Sequence, residues 1–572
     1  MKNYILGINA YHADSSAALL VDGEVVSATE EERFTRQKHW AGLPIKSIEF
    51  CLSSKNLKMS DISSICVGRD PKAKLLNKIK YMATNIKPSI SMFKQRFANR
   101  SDLNSLELKI KNHFGTCPKI EFIEHHRAHL ASAFFSSPFE EATLLSIDGS
   151  GDFSTIMIGK GIGNKIEVIE SQDFPVSIGL FYSAFTQFLG FPYYGDEYKV
   201  MGLSPYGRPD YLKEMNSLIW CGEKNILEWD SSFFNLNSGA VSYSNNNPAV
   251  SQLFNQTNFE KLFGDKRLKN DDIKQRHKNI ASSLQRRTEE LIFEIIERAF
   301  KQTGISKLCI AGGVAQNSVA NGKILSNTSI SDIYIPSAGH DAGISMGASQ
   351  YHYFHNLDNK RLKPLYNANL GISFSNEEIK KIIDKLELKH KYLEDDILFK
   401  YVAKAISNNN VIGFFDGKAE FGPRALGSRS ILADPRNSKA QQLLNEKIKK
   451  RESFRPFAPS ILEEYGENYF ENYQFTPFME RVLPIKKEMQ KLIPAVTHVD
   501  GSGRLQSVKK ELRPRYYRLI KEFYEITGIP ILINTSFNEN EPVVNIPEEA
   551  IDCYLRTDMD MLVLGNYILE KK

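Results

Sequence analysis

His125 and His129 stand four residues apart in EHHRAHLASAFF. If residues 125–135 are helical, both imidazoles share one face, as a bound metal requires. Spacing alone is thin support, because 12 histidines in 572 residues give about a quarter of such a pair by chance. No HExxH glutamate accompanies the pair, which argues against a zinc protease. Two imidazoles leave the coordination shell short, so a carboxylate must come from elsewhere. Asp341, after His340 in AGHDAGISMGA, is the candidate: a Gly-flanked turn residue before a run of small residues. Two His and one carboxylate with open positions suit Fe(II) or another borderline divalent ion.

A second concentration of chemistry lies toward the C-terminus. FGPRALGSRSILADPR carries Arg424, Arg429 and Arg436; NEKIKKRESFRPFAPS carries Lys447, Lys449, Lys450, Arg451 and Arg455; THVDGSGRLQSV carries Arg504; ILINTSFN carries Asn534, Thr535, Ser536 and Asn538. The first and last lie at Gly/Pro turns or strand ends, where α/β proteins build ligand sites. Arginine grips phosphate with two parallel N–H donors, and Ser and Thr hydroxyls complete such a pocket. Surface charge accounts well for the lysines and poorly for Arg424, wedged within Phe-Gly-Pro-Arg-Ala-Leu-Gly.

The elements that must position these groups are legible in outline. Tyr4–Ile8 and Ser16–Val21 read as strands around a polar turn that holds His12, and Asp22-Gly23 makes a hairpin into Glu24–Ala28. The pattern recurs: Ala142–Ile147 is a strand, Asp148–Asp152 a turn, Ser154–Ile158 a strand. Two such hairpins hint at a duplicated architecture, and turns of this kind offer backbone amides to phosphate. Lys307–Ile310 is a strand followed by Gly312-Gly313 and a helix-like run from Gln316 to Leu325; a Gly pair there admits either a phosphate or simply a tight turn. Asn279–Lys301 repeats apolar residues at three- and four-residue spacing, as an amphipathic helix does. The stretch 72–100 is basic and reads as a solvated helix pair or insertion, with an anionic contact as the lesser alternative. Asn and Ser cluster at 235–247 as an exposed loop. Glu30, Glu31 and Glu32 are adjacent and cannot share one face, so they read as a helix start or solvated edge. The polar, Pro-bearing stretch 355–370 marks a boundary between domains 1–360 and 361–572.

Composition narrows the class. The chain is 42% hydrophobic and 25% charged, with 73 Lys plus Arg against 68 Asp plus Glu. That is ordinary for a globular protein and gives no global case for nucleic acid or a membrane. No stretch approaches the ~18 apolar residues of a membrane helix, and Asn9, His12 and Asp14 interrupt any signal-like run. The six cysteines are scattered without a CxxC pair, which fits a reducing, cytoplasmic setting.

Long strings distributed nearly end to end resemble the O-carbamoyltransferases of the nodulation and antibiotic-tailoring type: GINAYHADSSAALLVDGEVVSATEEERFTRQKH, EHHRAHLASAFF, SIGLFYSAFTQFLGFPYYGDEYKVMGLSPYG, AGGVAQNSVANGKI, GHDAGISMGA, EFGPRALGSRSILADPR, RESFRPFAPS, THVDG and ILINTSFN. The resemblance implies an α/β protein. Its N-terminal part is similar to a duplicated actin-like ATPase-fold transferase (Kae1-like), and its C-terminal part to a carbamate-adenylating domain (YrdC-like). It implies that carbamoyl phosphate is cleaved in the C-terminal domain, that carbamate reacts there with ATP (with Mg2+) to give carbamoyl-adenylate, and that the adenylate passes internally to the N-terminal domain. A hydroxyl of a small-molecule or sugar acceptor then takes the carbamoyl group. Carried over by position, His125, His129 and Asp341 are metal ligands, with iron expected. Asp148 contacts metal or nucleotide. His12 is the general base, a role that suits an imidazole, which titrates near neutral pH. Lys38 contacts substrate or nucleotide, and Gly312, Gly313 and Asn317 line the adenosine side. Lys449, Arg504 and Ser536 form the carbamoyl-phosphate and adenylate pocket, with Arg424, Arg455 and Asn534 beside them. Two departures fall on the acceptor or nucleotide side: Ala13 where the family often has Asp after the base His, and Gly195-Asp196-Glu197-Tyr198-Lys199 where it has Gly-Glu-Gly-Lys.

Overall fold

The structure, a computed structural model, describes residues 2–84, 103, 105–235, 241–244 and 246–571. Much of the basic stretch 72–100, including Lys87, Lys94, Arg96 and Arg100, lies outside the described residues. The chain divides into two compact units, Met1–Leu365 and Tyr366–Lys572.

The first unit contains the same five-stranded sheet twice. Tyr4–Asn9 (β1), Ser16–Val21 (β2) and Glu24–Glu30 (β3) form an antiparallel meander, with Ser64–Val67 (β4) parallel to β1 and Lys119–Phe122 (β5) parallel to β4. Glu141–Gly151 (β6), Ser154–Ile162 (β7) and Lys165–Asp173 (β8) repeat the meander. Between the repeat's strands come two small hairpins, Ile219–Cys221 (β9) with Leu227–Trp229 (β10) and Val241–Ser244 (β11) with Asn247–Val250 (β12). Lys307–Ala311 (β13) and Asp332–Tyr334 (β14) then extend the second sheet in parallel. The orders β3-β2-β1-β4-β5 and β8-β7-β6-β13-β14 are identical in topology. This is the duplicated α/β arrangement at which the paired hairpins hinted. Strands β1 and β2 are buried along almost their whole length, which explains their unbroken apolar runs. Asp22 and Gly23 take φ of 50° and 86°, the left-handed pair that a two-residue hairpin turn needs.

Several local expectations are corrected. Residues 148–151 are not a turn: β6 runs through them, and the reversal falls at Asp152-Phe153, with φ of 48° and 75°. A register shift between Ile147 and Gly151 marks an irregularity in the ladder, and such bulges re-aim side chains out of a sheet. The run 316–325 is not one helix. It breaks into a turn at Gly313–Gln316 and single helical turns at Ser318–Asn321 and Ile324–Asn327, because the Asn317 side chain caps the Ala320 amide and restarts the chain. The glutamates 30–32 are no solvated edge. Glu30 and Glu31 are buried; Glu31 accepts from Lys46 N, Ser47 N and Ser47 Oγ at the start of the helix Ile45–Ser53, while Glu32 opens the turn Glu32–Thr35. The described part of 235–247 is not all loop, since β11 and part of β12 form a hairpin there. The amphipathic helix extends over Gln275–Thr303.

The second unit is built on a nine-stranded sheet: Lys391–Tyr392 (β15), Ile412–Phe415 (β16), Arg429–Ala433 (β17), Ala458–Leu462 (β18), Arg481–Pro484 (β19), Ser502–Val508 (β20), Ile531–Ser536 (β21), Met561–Leu564 (β22) and Tyr567–Glu570 (β23). The order is β15-β23-β22-β16-β17-β21-β18-β20-β19. Its apolar core gathers Phe399, Phe414, Ile431, Leu519, Phe523 and Leu532 from the sheet and the helices Asp395–Ser407 and Pro514–Thr527. Among the described residues, no helix is long and apolar enough to cross a membrane.

Candidate active site

The helix His125–Phe134 begins where the Glu124 side chain accepts from Arg127 N at 2.8 Å and Asp152 Oδ2 accepts from His125 N at 2.9 Å. Its pitch sets His125 and His129 on one face, both fully buried. Asp341 arrives from the turn before the helix Ile344–Gln350. That helix lies so close that a Cβ on Gly347 would stand 1.9 Å from Ala128 O. Only glycine allows this approach, and the approach brings Asp341 to the histidines.

The four groups converge. His125 Nε2 and His129 Nε2 are 3.1 Å apart, and each lies 3.2 Å from Asp148 Oδ2. Asp341 Oδ1 stands 3.6 Å from His125 Nε2 and 3.4 Å from His129 Nε2. Ligands about 2.1 Å from one ion stand roughly 3.0–3.4 Å from each other, so the donor set fits a divalent cation. The buried Asp341 Oδ1 has no hydrogen-bond partner, which is costly unless a cation meets it. The electrostatics agree. Burial alone would lower His129, but Asp148 and Asp341 raise it to about 9, so a proton there supplies the positive charge the carboxylates demand. Burial would raise both carboxylates; the imidazoles instead hold Asp148 down to about 2, and His12 leads in holding Asp341 well below the usual range. Asp148 thus stands with the metal-type ligands.

His12 sits in the β1–β2 turn, nearly buried, with Nδ1 2.7 Å from Asp341 Oδ2. Its ring lies 5.3 Å from those of His125 and Tyr243. Lys38 is exposed and its neighbour His39 turns inward instead: His39 Nδ1 lies 2.8 Å from Asp14 Oδ1, and its backbone amide donates to Glu32 Oε2 at 2.9 Å. Burial would lower His39, but Asp14 and then Glu32 raise it to about 9. A cation therefore stands close to His12's turn, on a side chain the motif reading passed over. Lys199 pairs with Asp196 at 2.7 Å, within the departing string 195–199.

The Gly pair adjoins the cluster. Gly312, at φ 99°, donates its amide to Gly339 O at 2.7 Å. A Cβ on Gly313 would stand 2.8 Å from Asp148 Oδ1, the oxygen that also accepts from Gly149 N. Asp148 therefore turns one oxygen to the histidines and the other to the Gly loop. Asn317 exchanges hydrogen bonds with Gln285 at 3.0 and 3.1 Å, and Gln285 leads on to Glu289 and Lys323.

In the second unit, strand register brings several of the expected pocket residues together. Ser460 on β18 pairs with Gln506 on β20, and Ala458 on β18 pairs with Asn534 on β21. Since alternate residues share a face, Arg504, Gln506, Ser460, Asn534 and Ser536 all project from one side of the sheet. Arg504 is held well below the usual guanidinium value by burial and by Arg424, Arg451 and Arg455 crowding it. Guanidinium groups gathered in this way suit an anionic ligand. Glu420 organises the loop that carries Arg424, accepting from Leu426 N at 2.8 Å and Ser428 N at 2.7 Å. Lys449 is almost fully buried and donates to Asn538 Oδ1 at 2.6 Å, Asn538 O at 2.8 Å and Ser536 Oγ at 3.3 Å. Asn534 donates to Ser460 Oγ and Gln506 Oε1. Arg455 reaches Glu452 at 3.4 Å. Burial, opposed by Asp500 and aided by Arg504, brings His498 down to about 4, a neutral imidazole beside the arginines. Gln506, Ser460 and His498 carried no spacing signal; only the register and the loop approach bring them in.

Residues 4–350 match the family described as Carbamoyltransferase N-terminus, and residues 403–571 that described as Carbamoyltransferase C-terminus. An uncharacterised protein of Synechocystis is 38% identical, covering 99% of this chain and 97% of its own. Nodulation protein NolNO of Sinorhizobium fredii is 35% identical, covering 99% of this chain and 80% of its own. Among solved structures, HypF of T. kodakarensis has a TM-score of 0.32 at 12% identity, over 62% of this chain and 48% of that one.

Proposed function

Since the chain belongs to the carbamoyltransferase family, we propose that it is an ATP-dependent O-carbamoyltransferase whose two units divide the reaction between them. In the second unit, carbamoyl phosphate and water give carbamate and phosphate. Carbamate oxygen then attacks the α-phosphorus of ATP, and pyrophosphate leaves. In the first unit, a hydroxyl of a small-molecule or sugar acceptor attacks the carbamoyl carbon of the adenylate, the bond to the phosphate oxygen breaks, and AMP leaves. The substrates are carbamoyl phosphate, ATP with Mg2+, and that acceptor.

The observation that carries this reading is the contact of His12 Nδ1 with Asp341 Oδ2 at 2.7 Å. It orients the ring and leaves Nε2 as the base that accepts the acceptor's proton. The imidazolium so formed is steadied by Asp341. Gly312, Gly313 and Asn317 hold the nucleotide side, next to Asp148. In the second unit Arg424, Arg455 and Arg504 bind the phosphate of carbamoyl phosphate and the triphosphate; Lys449 holds the strand end bearing Ser536, and Asn534 shapes the pocket floor. His125, His129, Asp148 and Asp341 would hold a divalent ion, with Fe(II) suited to two imidazoles and two carboxylates. Such an ion supplies Lewis acidity toward an oxygen of the transferring group.

Exchange of labelled pyrophosphate into ATP tests the division. It is expected to require carbamoyl phosphate, to be lost in Arg504→Ala and to survive in His12→Asn, which nevertheless fails to transfer. Loss of exchange in His12→Asn, or exchange without carbamoyl phosphate, overturns the reading.

A further inference from the structure

His12 is enclosed on two sides. The metal-type cluster lies on one, through the His125 ring at 5.3 Å. On the other is Tyr243, whose ring centroid is also 5.3 Å away at 48°. Tyr243 belongs to β11, far from His12 in sequence, and its hydroxyl lies against the backbone of Ala13. The β11–β12 hairpin is anchored to the segment 37–42. Ala41 N donates to Asn246 O at 2.8 Å, and Gln37 Nε2 donates to Asn247 Oδ1.

The same segment braces the His12 turn, because Trp40 O accepts from Ser15 N and Gly42 O accepts from Tyr11 N. Hairpin and turn are thus fastened to one loop. His12 keeps only 9% of its surface exposed, and Tyr243 forms one wall beside its ring.

We infer that Tyr243 sets which hydroxyl reaches His12, admitting the acceptor along its ring and holding water away from the base. The inference rests on the proposed role of His12. The competing event is hydrolysis. Water oxygen adds to the carbamoyl carbon, His12 takes the proton, the bond to the phosphate oxygen breaks, and AMP leaves with carbamate, which decomposes to carbon dioxide and ammonia. Screening by an aromatic ring suppresses this loss, and an aromatic wall also offers a flat face to the apolar side of a sugar or other ring-bearing acceptor.

The test supplies ATP and carbamoyl phosphate to the full chain without acceptor and measures AMP release, normalised to pyrophosphate exchange on the same preparation. Tyr243→Ala is expected to raise this ratio about fivefold. Tyr243→Phe, which keeps the ring, is expected to retain the low ratio, and adding His12→Asn to Tyr243→Ala to abolish the gain. In parallel, carbethoxylation of His12 by diethyl pyrocarbonate, mapped by peptide mass spectrometry, is expected to quicken in Tyr243→Ala and not in Tyr243→Phe. An unchanged carbethoxylation rate at His12 in Tyr243→Ala overturns the inference whatever the AMP rate. Absence of exchange in the unaltered protein overturns the proposed function instead, and the carbethoxylation rate then decides the screening role by itself.

Discussion

Asp341 joins His12 to the metal-type cluster: its Oδ2 lies 2.7 Å from His12 Nδ1, while its Oδ1 faces His125 and His129 at 3.6 and 3.4 Å. One carboxylate therefore touches both the proposed base and the proposed ligand set.

That double duty separates two variants. Asp341→Asn is expected to lower both bound metal and carbamoyl transfer, the latter by on the order of 10²–10⁴-fold. Asp148→Asn removes one proposed ligand and leaves the His12 contact in place, so it is expected to lower metal content with a smaller effect on transfer once metal is resupplied in excess. Metal per chain by plasma emission and transfer rate with added metal check the pair; equal residual transfer in the two variants contradicts the dual role.

Chelation is expected to lower the melting temperature, because a cation that binds the folded state alone stabilises it by about 3–4 kcal/mol at 100 to 1,000 times its dissociation constant. Re-addition of metal should restore the melt in the unaltered protein and fail to do so in Asp341→Asn. Calorimetry after chelator treatment checks this; an unchanged melt argues that the cluster binds no ion.

Arg504 is crowded by burial and by Arg424, Arg451 and Arg455, an arrangement that serves binding at the expense of stability. Arg504→Ala is expected to leave the melting temperature of the ligand-free protein unchanged or higher, and to erase the upward shift that carbamoyl phosphate produces. Thermal melts with and without carbamoyl phosphate decide it, and an undiminished shift counts against the pocket.

The Asp14–His39 pair carries a pH dependence. His39 is raised to about 9, so its contribution is fully present below the unfolded value of ~6.5 and is lost as pH rises through about 9. Burial would raise Asp14, but His39 outweighs it and lowers the carboxyl, so its share is present above its unfolded value and lost as pH falls. The imidazole side chain keeps 31% exposure, so screening by water reduces the pair to ~1 kcal/mol. Asp14→Asn should cost about that much near pH 6.5 and almost nothing near pH 10. Urea melts at the two pH values check it; an equal cost at both rejects the pairing.

A side chain at Gly347 would meet Ala128 O at 1.9 Å, and the backbone carbonyl cannot swing aside. Gly347→Ala is expected to destabilise by ~1–3 kcal/mol and to weaken metal binding by moving Asp341 away from the histidines. Chemical melts and metal titration report the two effects together; full metal affinity in a destabilised variant would show that helix spacing does not control the cluster.

Much of this was legible in the residues themselves. The apolar runs of β1 and β2, the Asp22-Gly23 turn and the four-residue spacing of His125 and His129 depend on local backbone preference and helical pitch, which neighbouring residues decide. The repetition of strand patterns likewise exposed the duplicated α/β architecture. Local pattern failed where a side chain or a bulge intervened: Asn317 restarts the helix after the Gly pair, and the register shift in β6 turns Asp148 toward the histidines. Distance in sequence hid the rest. Asp341 reaches His125 and His129 only because Gly347 lets two helices nearly touch, Tyr243 comes beside His12 only because a hairpin docks on residues 37–42, and Arg504 shares a face with Asn534 only through the register of β18 between their strands. Contacts of that kind arise from packing and strand pairing between distant segments, and no spacing within one segment encodes them.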